Sequence, residues 1–152
     1  MKVSKIYLLQ TFTLLIGTIF AWFTVYTDFA RFYNIYGNVT RISNCIIPNP
    51  VTTPCFYGAF AFLIAFIWSL KLLKNPKSQN KLVILLIGST IFAWSNFTYE
   101  IFKFYASISG EQLSCSGIPT NNVFLTPCFY GSVIFLTSLV ISIVIRKTQK
   151  PL

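Results

Sequence analysis

Thr53-Pro54-Cys55-Phe56-Tyr57-Gly58 recurs unchanged as Thr126-Pro127-Cys128-Phe129-Tyr130-Gly131. Upstream, Ile19-Phe20-Ala21-Trp22 recurs as Ile91-Phe92-Ala93-Trp94. The two offsets are 73 and 72 residues, so a whole unit is duplicated. Each unit is an apolar span, a polar loop with a cysteine, and a second apolar span opening at Thr-Pro-Cys. Tandem units of this kind read as two copies of one hairpin. The expected division is residues 1–73 for the first hairpin, 74–81 for a basic linker and 82–152 for the second hairpin.

Composition places these hairpins in a membrane. Of 152 residues, 55% are hydrophobic and 10% charged, too little charge to coat a globule of this size. The apolar residues fall in four windows, Ile6–Tyr26, Phe56–Leu73, Leu82–Tyr99 and Phe129–Ile145. Crossing ~30 Å of hydrocarbon takes ~20 helical residues. The expected fold is therefore an all-α membrane protein with four transmembrane helices arranged as two tandem hairpin repeats. A pseudo-twofold along the membrane normal should relate the hairpins. Span one reads as a retained helix, not a signal peptide: its apolar stretch is long and its counterpart, span three, is internal.

The net charge of +9 is distributed by segment. Lys2 and Lys5 precede span one; Lys71, Lys74, Lys77 and Lys81 lie around the central linker; Arg146, Lys147 and Lys150 follow span four. None of these segments holds an acidic residue. The other two loops pair Arg31, Arg41 and Lys103 with Asp28, Glu100 and Glu111 and sum to zero. This is the positive-inside pattern. It predicts a multi-pass protein with both termini and the linker cytoplasmic and the cysteine loops extracytoplasmic. The basic charge then signals orientation and contact with membrane lipid, not nucleic acid.

All four cysteines, Cys45, Cys55, Cys115 and Cys128, fall on the predicted outer side. Four cysteines allow three pairings, and the repeat favours Cys45–Cys55 and Cys115–Cys128 as disulfides stapling the outer loops. Each staple would stabilise by about 3 kcal/mol if unstrained. The Thr-Pro-Cys context adds a second reading. Thr suits an N-cap and Pro the first helical position, which places Cys55 and Cys128 second in their helices. A helix N-terminus stabilises a thiolate, as thiol–disulfide exchange requires.

Helix number, orientation and the side that carries the cysteines resemble the vitamin K epoxide reductases and the bacterial quinone-linked disulfide-generating enzymes. The resemblance implies an oxidoreductase using Cys55 and Cys128 with Cys45 and Cys115, and a quinone as cofactor. The Cys-x-x-Cys pair of those enzymes is absent: Phe-Tyr-Gly follows both Cys55 and Cys128.

Past each Trp, Asp28 and Arg31 match Glu100 and Lys103 at the offset of 72. Acid and base three apart on a helix can pair, and the surroundings are aromatic. Spans one and three should continue beyond the membrane as amphipathic ends. These four residues are expected either in exposed interfacial ion pairs or at an aromatic-lined binding pocket with Asp28 and Glu100 as polar handles. Small residues at helical spacing, Gly17 with Ala21 and Ser89 with Ala93, mark packing seams.

The chain has no His, which removes the commonest general base and metal ligand; no metal site is expected. No phosphate-binding glycine loop occurs, and no ionisable residue lies mid-span to relay protons. The leading reading is a small accessory or binding protein whose outer face contacts a protein partner, a lipid or a small ligand. The first alternative is the oxidoreductase. The second is a small transporter built from duplicated hairpins and completed as a homo-oligomer.

Overall fold

In a computed structural model, the described residues are 2–40, 47–75, 78–106 and 119–149. They form four long helices: α1 (Lys2–Tyr36), α2 (Pro54–Lys74), α3 (Gln79–Ala106) and α4 (Pro127–Gln149). All four are long and apolar enough to cross a membrane. Only 28 to 39% of the residues in each most apolar window are buried inside the bundle. The rest, including Leu8, Phe12, Ile84 and Val140, present large apolar side chains outward. Water would not tolerate such a surface on every helix; lipid does.

The helices differ in length for a reason visible in their composition. α2 has 21 residues, about 32 Å at ~1.5 Å per residue, which matches one bilayer crossing. α1 has 35, about 52 Å by the same rise. Its extra turns carry Asp28 to Tyr36, the predicted extension, within the same helix as the span. Gly37 ends the helix with φ of +65°, donating its N–H to the Tyr33 carbonyl at 2.7 Å, the left-handed cap that glycine favours. The linker is shorter than the sequence suggested. α2 runs through Lys74 and α3 starts at Gln79, leaving 75–78 between them.

α1 packs on α2 and α4, and α3 packs on α4 and α2. Among the described residues α1 and α3 have no close backbone contact, so they occupy opposite corners. α2 and α4 approach each other across the middle. There Phe62 and Phe135, 73 positions apart, stack with ring centroids 3.7 Å apart and planes 11° apart. Gly17 makes room for this stack: a Cβ on it would lie 2.5 Å from a Phe62 ring carbon. The expected small-residue seam is thus a slot for a ring rather than a backbone-to-backbone approach.

Toward the linker end, the buried Gln79 amide donates to the Ser142 hydroxyl at 2.8 Å, the Ser142 carbonyl at 3.2 Å and Gln10 Oε1 at 3.4 Å. This clamp joins α1, α3 and α4 through side chains in a medium without competing water. Gln79 therefore belongs to the bundle, not to the linker assigned from charge.

Candidate functional site

The site lies at the opposite, cysteine-bearing end, where two short loop segments have the same construction. Asn49 caps a 3₁₀ turn, Pro50–Thr52, by accepting the Val51 N–H at 3.0 Å. Asn122 caps the 3₁₀ turn Val123–Leu125 by accepting the Phe124 N–H, also at 3.0 Å. The next threonine then bends back: the Thr53 hydroxyl donates to the Pro50 carbonyl at 2.7 Å, and that of Thr126 to the Val123 carbonyl at 2.8 Å. Thr53 holds the N-cap position of α2, but its side chain makes no cap bond; its hydroxyl is turned back toward the Pro50 carbonyl instead. Each proline opens its helix, so Cys55 and Cys128 are second in α2 and α4. Asn49 and Asn122 are cap residues that the duplicated Thr-Pro-Cys stretch did not bring to notice. Their common offset of 73 from each other was the available signal.

The residue after each cysteine anchors the helix start to its own hairpin. Phe56 meets Phe29 of α1 edge-on with centroids 6.2 Å apart. Phe129 meets Phe97 of α3 at 5.2 Å, and Phe97 is buried. Such contacts fix the direction in which the neighbouring cysteine points.

That direction is toward the other cysteine. Cys55 Sγ and Cys128 Sγ stand 3.8 Å apart, near van der Waals contact and well beyond the ~2.05 Å of a disulfide. Both are half-buried. They lie on the wall of a small, half-open cavity of about 50 Å³. Its lining falls almost wholly into pairs. Phe20 and Phe92, Ala21 and Ala93, and Thr24 and Asn96 are offset by 72; Cys55 and Cys128, Gly58 and Gly131, and Phe62 and Phe135 by 73. The aromatic stack of Phe62 on Phe135 is the floor. Gly58 and Gly131 create the space: a Cβ on either would meet nothing within 4 Å. The side chains of Thr24 and Asn96 donate to carbonyls one turn back in their own helices, at 3.0 and 2.7 Å, leaving the walls mainly apolar.

The remaining sequence candidates lie elsewhere. Asp28 and Glu100 are not among the cavity-lining residues, and neither is exposed: their relative accessibilities are 4% and 7%. This corrects the exposed setting expected for their ion pairs. Asp28 Oδ1 lies 3.5 Å from Arg31 Nη1, with Arg31 partly exposed. Glu100 Oε2 is 3.2 Å from the Thr126 hydroxyl. The buried acid of α3 thus reaches the residue that opens α4, a partner that spacing along α3 alone does not reveal. Lys103 does not copy Arg31; its ammonium sits over the Tyr99 ring at 5.7 Å. Cys45 and Cys115 lie outside the described residues, as does any loop pairing made through them. Among the described residues no group of His, Cys, Asp and Glu could hold a metal ion.

No protein family, curated protein or solved structure matches this chain.

Proposed function

We propose that the chain is a membrane-embedded binding protein that receives an apolar chain or ring in the cavity between its two hairpins. The carrying observation is that cavity: apolar walls, contributions from all four helices, and two glycines that keep it open. A cavity needs ~10–15 Å³ in this measure to hold one water. The available 50 Å³ suits the end of a lipid chain or the edge of a small ring entering from the bilayer. In this reading the chain is two tandem repeats about a pseudo-twofold axis through the Phe62–Phe135 stack. Positive-inside charge sets the termini and linker in the cytoplasm and the cavity near the outer surface. Disulfides Cys45–Cys55 and Cys115–Cys128 close the outer loops.

The test uses the full chain in lipid nanodiscs with cis-parinaric acid, a fluorescent polyene fatty acid, as probe. Wild type should bind it saturably at a stoichiometry near one. Gly58→Leu and Gly131→Leu fill open space and should abolish saturable binding while leaving thermal stability within a few degrees. Unchanged binding in both folded variants refutes the reading.

A second reading is favoured by the sulfur contact on the same wall. The chain would be a thiol–disulfide oxidoreductase, Cys55 and Cys128 replacing the missing Cys-x-x-Cys pair across the bundle. A lipid-soluble quinone would supply the two-electron acceptor, and the apolar walls beside the sulfurs are compatible with its ring. Dithiothreitol-dependent quinol formation in membranes, lost in Cys55→Ser and Cys128→Ser, supports this reading. Equal rates in all three chains dismiss it.

A further inference from the structure

The geometry points to a third disulfide, Cys55–Cys128, that forms by exchange and links the two halves of the molecule across the bundle. Three observations converge on it. The sulfurs are 3.8 Å apart, so forming a bond requires a closure of only about 2 Å. Both cysteines occupy the same helical position behind matched turns, so each presents its sulfur to the other. The half-open cavity beside them, with Gly58 and Gly131 one turn below, leaves space for the side chains or helix ends to move.

The exchange step conserves electrons. Once reduced glutathione has opened one loop pair, the thiolate of its helix-end cysteine attacks the sulfur of the other helix-end cysteine while that sulfur is still bonded to its loop cysteine. The bond to the loop cysteine breaks, the Cys55–Cys128 bond forms, and the loop sulfur leaves as a thiolate that takes a proton from water. One disulfide is consumed and one is made. A disulfide can thereby pass from a hairpin loop to the centre of the molecule, releasing a loop thiol. This step rests on the loop pairing proposed above. The cross-bundle bond itself does not, because two thiols at these positions close equally with an external oxidant.

The experiment separates the two. A protease site is placed in the linker at 75–78 of the full chain, in membranes, with Cys45→Ser and Cys115→Ser. Glutathione at graded oxidised-to-reduced ratios supplies the oxidant as a small-molecule disulfide, and N-ethylmaleimide stops the reaction before cleavage. On a non-reducing gel the two halves should migrate as one species above a definite ratio and separate again after dithiothreitol. Adding Cys55→Ser should leave them separate at every ratio. Separation at every ratio in the chain retaining Cys55 and Cys128 overturns the proposal.

Wild type supplies the second measurement and guards against misfolding of the loop variants. After the same titration, mass spectrometry should find the Cys55–Cys128 linked peptide, with alkylated Cys45 or Cys115 appearing in step with it. Absence of the linked peptide in the folded wild type overturns the proposal. Its presence without a newly alkylated loop cysteine retains the cross-bundle bond and refutes the loop staples as its source.

Discussion

Replacing Gly17 by alanine should destabilise the bundle by about 2 kcal/mol, although alanine is ordinarily the better helix former. The added Cβ would lie 2.5 and 2.7 Å from two Phe62 ring carbons and 3.0 Å from Ile134 Cγ2. Carbon atoms normally rest ~3.5–4.0 Å apart, so the ring would have to retreat by about 1 Å. It has nowhere simple to go. Phe62 is 1% exposed, and its ring is stacked on Phe135 with centroids 3.7 Å apart. Overpacking of this kind costs about 1–3 kcal/mol, and disturbing an aromatic pair about 0.5–1.5 kcal/mol more. The helix-propensity gain of alanine over glycine, about 1 kcal/mol, offsets part of the sum. Gly88→Ala is the matched control, also within an apolar span but with nothing within 4 Å of the new Cβ; it should cost nothing. Reversible unfolding in mixed micelles, or steric trapping in bicelles, measures both. Phe62→Leu should couple favourably with Gly17→Ala, the double variant being more stable than the two single losses predict. Equal stability of Gly17→Ala and Gly88→Ala would refute the assigned packing of Phe62.

Other consequences are open to the same assays. Asn122→Ala removes an exposed side-chain cap on a 3₁₀ turn and should cost about 1 kcal/mol. Asn49→Ala also removes the bond from Asn49 Nδ2 to the Val39 carbonyl at 2.9 Å at a buried position and should cost more, equal unfolding midpoints refuting that difference. Gln79→Leu leaves the Ser142 hydroxyl and Gln10 without the clamp and should lower stability by about 1 kcal/mol, within the range for hydrogen bonds between membrane helices. Gly37→Val forces a β-branched residue into φ of +65° and should fray the end of α1, seen as faster amide exchange confined to its last turn. Glu100→Ala removes the acceptor facing the Thr126 hydroxyl, whereas Glu100→Gln keeps an acceptor there; a larger stability loss in the alanine variant is expected.

Much of the framework was legible because membrane helices announce themselves through length and apolarity. The four windows and the second-in-helix placement of both cysteines followed from the apolar runs and the Thr-Pro dipeptides. The ends were less legible. Charge alone put Gln79 in the linker, yet its amide finds Ser142 on another helix. The acidic character of Asp28 and Glu100 suggested exposure, yet both are buried, and the Thr126 hydroxyl beside Glu100 comes from the start of another helix. The contact of Cys55 with Cys128 was hidden for the same reason. Sequence places each cysteine beside its own loop. Only the diagonal approach of α2 and α4, set by the stacking of Phe62 on Phe135, brings the two sulfurs together. No short cysteine pair occurs along the chain, whereas the fold brings Cys55 and Cys128 near each other across the bundle.

Cavity, cysteines and orientation all require four helices crossing a bilayer with both cysteine-bearing ends on one face and the 75–78 linker on the other. In intact cells, after mild reduction, a membrane-impermeant maleimide should label Cys55 and Cys128 in a chain lacking the loop cysteines. The same reagent should fail to label a chain whose only cysteine is introduced as Asn75→Cys until the membrane is permeabilised. Labelling of the two sites from the same side would contradict the four-span bundle, and access to position 75 alone would reverse its orientation.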